Sequence, residues 1–500
     1  MSVLTSTPEL AASWLRARVT GKLSTDSREV GPGDGFVAWP GAVRDGRHFV
    51  KNALAGGAAA CLVEQAGVEA FAFDDDRIAT CTALKAATAP IAAAYYDHPS
   101  QRLKVVAVTG TNGKTSTTWW LAQALGKLGM RCGVVGTLGV GEPGAMEFNG
   151  LTTPDPVLLQ RQFRRFADQG FAACALEASS IGIAEKRLDA TQVAVAVFTN
   201  FTQDHLDYHG SMLAYWEAKK ALFAWPGLHA AVLNIDDEKG AELAAGLKDS
   251  ALDVWTVSIS GPARLQAKNV EQKAGELSFS VLEDGQSHAV KVGTAGLYNV
   301  ANLLGVIGAM RALGASLQDA ARACTGLSSV PGRLDVVAQD AAPLVVIDYA
   351  HTPDALEKVL LALKPVASQR EGQLWCVFGC GGDRDPIKRP LMAAAAQLHS
   401  DKLVVTSDNP RSENPDAIIS PILLGLACSS AANVQADRAL AISQTISEAN
   451  VADVVLLAGK GHEDYQEICG VKYPFSDRLH ALAALDTKHP AAAQRKGRSV

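Results

Sequence analysis

The sequence predicts an α/β fold in three domains, built on parallel sheets with crossover helices. Three observations predict it. The 500 residues correspond to roughly three domains at about 150 residues each. In LKVVAVTGTNGKTSTTWWLAQAL an apolar strand passes through a glycine-rich loop into a helix, the joint of a crossover unit. The last third repeats four times an apolar strand that runs directly into a polar loop.

The elements follow in order. Pro32-Gly33-Asp34-Gly35 is turn chemistry, Phe36 to Trp39 a short strand, and His48 to Ala60 a small helix leading into a strand from Ala60 to Val63. His98-Pro99-Ser100-Gln101 reads as a linker and closes a first domain, 1–100. The second, 101–328, opens with the strand Val105 to Val108, and strands recur at Ala172 to Glu177, Val193 to Phe198 and Ala230 to Asn234. This spacing suits a parallel sheet. Around Pro331-Gly332 the pattern restarts, giving a third domain, 329–500. There LVVIDYAHTPDA, LWCVFGCGGDRDPIKRP, KLVVTSDNPRSENP and DVVLLAGKGHEDYQ predict a Rossmann-like doubly wound sheet. Ligands bind beyond the carboxyl ends of such strands, so the four loops could share one site; plain polar turns are the alternative. Gln494 to Arg498 form a basic tail.

Composition narrows the function. With 46 basic and 52 acidic residues the net charge is −6, which offers no electrostatic footprint for nucleic acid or an anionic membrane. Apolar residues at 48% with 20% charged make a globular chain. MSVLTSTPEL lacks the basic and apolar segments of a secretory signal, and no apolar run reaches the ~20 residues of a membrane span. Nine scattered cysteines without a CxxC pair read as reduced thiols. A cytoplasmic monomer is expected.

Gly110-Thr111-Asn112-Gly113-Lys114-Thr115-Ser116 carries the first chemistry. Its glycines let backbone amides approach phosphate oxygens, Lys114 can reach the terminal phosphates, and the Thr115 hydroxyl suits Mg2+. It departs from the full P-loop pattern, because Val108 stands where the first glycine belongs. The second domain is therefore read as a P-loop ATPase-type sheet. Glu177, at a strand tip before Ala178-Ser179-Ser180, is a magnesium-ligand candidate or a solvated strand-end carboxylate. His205, within Asp204 to Gly210, could bind metal or cap its loop. Lys219 falls on the apolar stripe Met212, Tyr215, Lys219, Leu222, Phe223. Snorkelling is the plainer account; a buried amine of depressed pKa is the other. Asp408-Asn409-Pro410-Arg411 offers a guanidinium for a carboxylate, and Gly459 to Asp464 offers carboxylates for an ammonium. Together they could hold an amino acid.

These residues resemble the Mur ligase family of ATP-dependent amino-acid ligases. The likeness covers nearly the whole chain and rests on TDSREVGPGDGFVA, TGTNGKTS, LTTPD, LEASS, TNFTQDHLDYHG, YWEAKKALF, GLYNVAN, GRLD, DYAHTPDAL, GGDRDPIKRP, DNPR and GKGHEDYQ, in that order. It implies that Thr25, Ser27 and the Ala42 to Arg44 turn meet a uridine nucleotide. Gly110 to Ser116 would hold ATP phosphates, with Asn302, Arg333 and Asp348 at the base and ribose. Thr115, Glu177 and His205, with Lys219 as a carbamate, would surround Mg2+. Lys219 would be an N6-carboxylysine, which overturns the snorkelling preference, and Lys114 would act with it in catalysis. Thr152, Thr153, Ser179, Glu185 and Arg187 would contact a UDP-N-acetylmuramoyl-dipeptide. Arg389, Asp408, Asn409, Pro410, Arg411, Gly459 and Glu463 would bind meso-diaminopimelate, whose second carboxylate Arg411 would pair. Ile181 and Glu185 depart from the family's usual histidine and glutamine; Lys186 or Arg187 would have to compensate the Glu185 charge.

The implied reaction is ATP-dependent amide formation through an acyl-phosphate, in peptidoglycan synthesis. A lysine-adding homologue, folylpolyglutamate synthetase and, in another class, a P-loop switch ATPase are the rival readings.

Overall fold

The computed structural model describes residues 2–3, 7–41, 44–273, 276–428 and 432–488. The predicted basic tail lies outside them. The α/β class is as expected, with three main sheets.

The first sheet is parallel throughout, in the order Ser2–Val3, Ile78–Cys81, Ala60–Glu64, Gly35–Ala38, Leu23–Ser24. The expected helix from His48 to Ala60 is shorter, a 3-10 turn at Gly46–Phe49 followed by an α-helix at Val50–Ala55. Gly56 and Gly57 end it, because Gly57 takes φ +101, a conformation open to glycine. The helices Pro8–Arg16 and Leu84–Tyr95 pack on this sheet through Leu15, Leu84 and Ile91. The linker at 98–101 folds as the 3-10 turn Pro99–Arg102.

The second sheet has eleven strands. Its centre is parallel: Asp253–Ser258, Ala230–Asn234, Val195–Phe198, Lys104–Thr109, Ala173–Glu177 and Cys132–Gly136 lie side by side. Apart from Asp253–Ser258, which is partly exposed, these strands are almost wholly buried, which explains their apolar runs. Helices Lys114–Lys127 and Leu297–Ala312 cover one face through Trp120, Leu121, Leu303 and Ile307. Pro156–Asp168 and Met212–Lys220 cover the other through Phe163, Phe166 and Trp216. Deleting a buried Phe163 side chain would cost about 3–5 kcal/mol. Both edges continue as antiparallel hairpins, Leu265–Lys273 with Glu276–Glu283 and Gln286–Val292, and Gly139–Glu142 with Ala145–Glu147. The parallel sheet is as expected; these antiparallel edges extend it.

The third sheet runs Asp335–Val337, Leu344–Asp348, Val454–Ala458, Leu374–Phe378, Lys402–Val405, Ala432–Val434, and only the first pairs antiparallel. The four strands expected to end in polar loops are neighbours. Their loops therefore leave one edge together. A hairpin, Tyr465–Ile468 with Val471–Pro474, stands beside that edge.

Candidate active site

Lys104–Thr109 lies between Val195–Phe198 and Ala173–Glu177, so three loops meet beyond one sheet edge. Two glycines shape the first. Gly110 takes φ +143, and a Cβ there would lie 1.9 Å from Thr199 Oγ1. Gly113, at φ +85, is the N-cap of Lys114–Lys127. The helix thus presents its first amides, and the positive end of its dipole, to the loop. Asn112 N donates to Asn200 Oδ1 at 2.9 Å, and Thr199 Oγ1 donates to Asn112 O at 2.6 Å. Lys114 Nζ donates to the carbonyls of Gly110 and Thr111 at 2.9 and 2.8 Å, and burial pulls its pKa down.

Glu177 ends its strand 1% exposed. Its carboxylate accepts from Thr115 Oγ1 at 3.1 Å, Thr137 N at 2.9 Å and Thr137 Oγ1 at 3.2 Å. Arg333 Nη2 donates to the same Thr115 hydroxyl at 3.1 Å. Among the described residues no cluster of three or more His, Cys, Asp or Glu side chains could hold a metal. A hydroxyl and a carboxylate beside a phosphate loop nonetheless fit Mg2+, which takes few protein oxygens and completes its shell with phosphate and water.

Beside the loop a cavity is lined by Asn112, Ser116 and Asn302 from the second sheet's layers and by Arg333, Asp348, Tyr349 and Lys358 from the third's. Asn302 Nδ2 donates to Asn299 Oδ1 at 3.1 Å. Asp348 Oδ2 accepts from Leu334 N at 2.7 Å, and burial raises its pKa. Asn112 Nδ2 donates to Asp354 Oδ2 at 2.9 Å, tying the loop to the helix Pro353–Gln369.

Lys219 is 1% exposed, whereas Lys220 faces solvent. Its Nζ donates to Gly110 O at 2.7 Å and lies 4.4 Å from the Tyr215 ring centroid. The amine does not snorkel. Burial, and then the charge of Lys114, hold its pKa well below the ordinary lysine range. His205 takes φ +53 in the preceding loop, with Nε2 3.5 Å from Asp204 Oδ2. Burial lowers its pKa as well.

A larger cleft joins both sheet edges. Thr152, Thr153, Ser179, Arg187 and His205 line one side; Asp408, Asn409, Arg411, Gly459 and Glu463 line the other. Thr153 Oγ1 donates to Glu177 O at 2.7 Å, and Arg187 Nη1 donates to Thr153 O at 2.8 Å. Opposite, Asn409 Nδ2 donates to Glu463 Oε2 at 2.8 Å. Gly459 takes φ +113, and a Cβ there would lie 2.4 Å from Asp408 Oδ2. Burial, reinforced by the Asp408 charge, raises the Glu463 pKa. Arg411 Nη1 donates to Gly382 O at 2.7 Å, and Nε lies 3.4 Å from Glu467 Oε2.

Three expected residues do not line this cleft. Arg389, 4% exposed, gives Nη2 to both oxygens of Glu413 at 2.8 and 3.0 Å. Pro410 is buried behind the turn. Glu185 pairs with Lys85 at 2.6 Å and accepts from the Tyr208 hydroxyl, and the Lys85 hydrogen bond holds its pKa down. The main compensating cation is therefore Lys85, on the helix Leu84–Tyr95, with a smaller contribution from the charge of Arg187. Thr25 and Ser27 line a separate cleft with Arg44, Asp155 and Arg161, and Leu151 borders both. Of the turn expected there, Ala42 and Val43 lie outside the described residues.

Family models match this chain in three stretches: "Mur ligase family, catalytic domain" at 21–97, "Mur ligase middle domain" at 108–310 and "Mur ligase, glutamate ligase domain" at 332–461. A UDP-N-acetylmuramoyl-L-alanyl-D-glutamate–2,6-diaminopimelate ligase of Acidovorax sp. (strain JS42) is 58% identical over 487 residues, covering 96% of this chain and 97% of its own. The chain belongs to the Mur ligase family. A second relative of that name, from Pseudomonas aeruginosa, is 45% identical across 94% of this chain and 96% of its own. The solved structure of a Mur ligase of the same name is 35% identical, with a TM-score of 0.64 across 94% of this chain and 95% of that one. A MurF ligase of Thermotoga maritima, solved with ADP, shares the fold at 19% identity and a TM-score of 0.67, across 96% and 99%.

The Mur ligase cleft also holds residues that motif reading did not single out. Arg384, Lys388, Tyr349, His351 and His462 all line it. Burial brings the pKa of His351 and of His462 down to about 4, so both rings are neutral near pH 7. The cations had a legible signal in GGDRDPIKRP, where three basic residues follow a strand end; the histidines had only their place in DYAHTPDAL and GKGHEDYQ.

Proposed function

We propose that this Mur ligase joins meso-2,6-diaminopimelate to UDP-N-acetylmuramoyl-L-alanyl-D-glutamate, with ATP, in the cytoplasmic stage of peptidoglycan synthesis. One observation carries the reading. A single cleft is lined on one side by the neighbours of the phosphate loop and on the other by Asp408, Asn409, Arg411 and Glu463.

In the first step a D-glutamyl carboxylate oxygen attacks the γ-phosphorus of ATP and ADP leaves, giving an acyl-phosphate. An amine of diaminopimelate then attacks that carbonyl carbon, phosphate departs with the C–O electron pair, and the nitrogen loses a proton. Lys114 and the amides of 110–116 offset charge on the phosphoryl oxygens. Thr115 and Glu177, with His205 and Lys219 nearby, would hold Mg2+, which supplies further charge stabilisation of the phosphoryl group. Asn302, Arg333 and Asp348 seat the base and ribose. Thr25 and Ser27 take the uridine nucleotide, and Thr152, Thr153, Ser179 and Arg187 the muramoyl-dipeptide. The neutral amine of Lys219 is the form that adds carbon dioxide, its nitrogen bonding the carbon and releasing a proton, which would leave a carbamate anion where a cation is costly.

Arg411 directs the choice of amino acid. Diaminopimelate brings a second carboxylate to its guanidinium, while lysine offers none and leaves it with Gly382 O and Glu467 as its partners. Phosphate release is measured with the muramoyl-dipeptide nucleotide and either amino acid. Turnover with diaminopimelate and little with lysine is expected. Equal rates would defeat the specificity claim, and turnover without either amino acid would favour a switch ATPase.

A further inference from the structure

Behind the amino-acid side of the cleft lies an ion pair that this chemistry does not use. Arg438 opens the helix Arg438–Glu448 and Asp477 opens Asp477–Lys488. Both side chains are 0% exposed. Arg438 Nε and Nη2 donate to Asp477 Oδ1 and Oδ2 at 2.7 and 2.6 Å. The same guanidinium turns to backbone as well, Nη2 donating to Ala458 O at 3.0 Å and Nη1 to Ser407 O at 3.3 Å.

Those two carbonyls immediately precede Gly459 and Asp408, the roots of the two loops that face the cleft. Their strands, Val454–Ala458 and Lys402–Val405, are not ladder partners, because Leu374–Phe378 lies between them. No sheet bond therefore sets the distance between the loops at their roots. Nearer the tips Lys460 Nζ donates to Asn409 Oδ1 at 3.0 Å and Asn409 Nδ2 to Glu463 Oε2 at 2.8 Å, and past Glu463 the backbone pairs Arg411 N with Glu467 O and Cys469 N with Arg411 O at 3.0 and 2.7 Å; these ties lie beyond the strand ends that Arg438 grips. A planar guanidinium with five donors can grip both oxygens of a carboxylate and two carbonyls at once; an ammonium, with three donors, cannot make all four bonds.

Charge points the same way. Asp477 neutralises Arg438, which leaves Lys460 beside two carboxylates, 3.2 Å from Glu463 and 3.9 Å from Asp408. Lys460, Asp408 and Glu463 together thus carry one net negative charge, suited to an incoming ammonium, while Arg411 at the far end of the Asp408 loop suits a carboxylate.

We propose that Arg438, oriented by Asp477, is a positioning residue for the incoming amino acid, setting the spacing between the Asp408 loop and the Gly459–Glu463 loop. The inference rests on reading these loops as the amino-acid site. Arg438 does not border the cleft, so its effect falls on the KM for diaminopimelate and spares the nucleotide substrates.

The test is the double variant R438M/D477L, together with D477N. Replacing a buried ion pair by apolar residues often leaves stability intact, yet here it removes both carbonyl anchors. The KM for diaminopimelate is expected to rise about tenfold or more, with the KM for ATP and for the muramoyl-dipeptide nucleotide within about twofold of the parent. D477N keeps the shape while weakening the grip, and is expected to shift the same KM in the same direction by less. It carries the test if the double variant fails to fold. An unchanged diaminopimelate KM in a folded variant, or an equal rise for ATP, would overturn the inference. A parent enzyme that does not use diaminopimelate would instead overturn the functional reading.

Discussion

A lysine amine with no route to water is pushed toward the chemistry of its neutral form, and Lys219 is such a residue. Its pKa lies well below the ordinary range because burial, and then Lys114, disfavour its charge. Between that folded-state value and the unfolded value near 10.4 the unfolded chain holds a proton the folded chain lacks. Stability therefore rises with pH through this window and falls as pH drops. In buffer depleted of carbon dioxide, Lys219→Met should flatten that slope and raise the melting temperature at pH 7, while ligase activity drops by about 10²–10³-fold. A parent whose stability showed no such slope would refute the burial account. The clash of a lysine with an apolar stripe was legible in the sequence. Its resolution was not, because the accepting carbonyl belongs to Gly110, 109 residues away. Glu185 is the same kind of case. Its ion-pair partner Lys85 stands on another sheet's helix, and only the fold could put it ahead of Arg187, whose charge adds to the effect.

At the scale of elements, legibility followed burial. Strands covered on both faces, such as Lys104–Thr109 and Val454–Ala458, announced themselves as unbroken apolar runs. The edge strands did not. Glu276–Glu283 alternates buried and partly exposed positions, and Leu265–Lys273 carries mainly polar residues beyond its first turn of pairing, so neither reads as a parallel core strand. The glycine loop was legible because its backbone demands are local. Gly110 sits at φ +143, with the Asn200 backbone and the Thr199 hydroxyl where a Cβ would go. Gly110→Ala should strain the loop by about 1–3 kcal/mol and, by displacing the amides, weaken binding of a non-hydrolysable ATP analogue about tenfold or more. Calorimetric titration would show it. Affinity for the uridine-nucleotide substrate should change little, since Thr25 and Ser27 line a different cleft; equal loss of both would mean a general unfolding of the loop region.

For the whole molecule, the decisive feature is that no one sheet owns a cleft. The cavity beside the phosphate loop takes Asn112 and Asn302 from the second sheet's layers and Arg333, Asp348 and Lys358 from the third's. Asn112 reaches Asp354, and Arg333 reaches Thr115, across the same boundary. The α/β class and the convergence of four strand-end loops were readable from repeated strand-to-loop segments, but this sharing was not, because it depends on how the sheets face each other. Sharing has a thermodynamic signature. A ligand that binds only the assembled pocket stabilises each contributing unit by RT ln(1 + [L]/Kd), about 2.7 kcal/mol at 100 Kd. Scanning calorimetry of the full chain should therefore show an ATP analogue raising the transitions of the second and third sheets together and drawing them toward one. Uridine diphosphate should act on the transitions of the first and second sheets, because Thr25 and Ser27 line its cleft together with Asp155 and Arg161. An ATP analogue that shifted one transition and left the other in place would show that the pocket belongs to a single unit. In that case Arg333 and Asp348 would be bystanders to nucleotide binding, and their alanine variants would keep the parent's affinity for ATP.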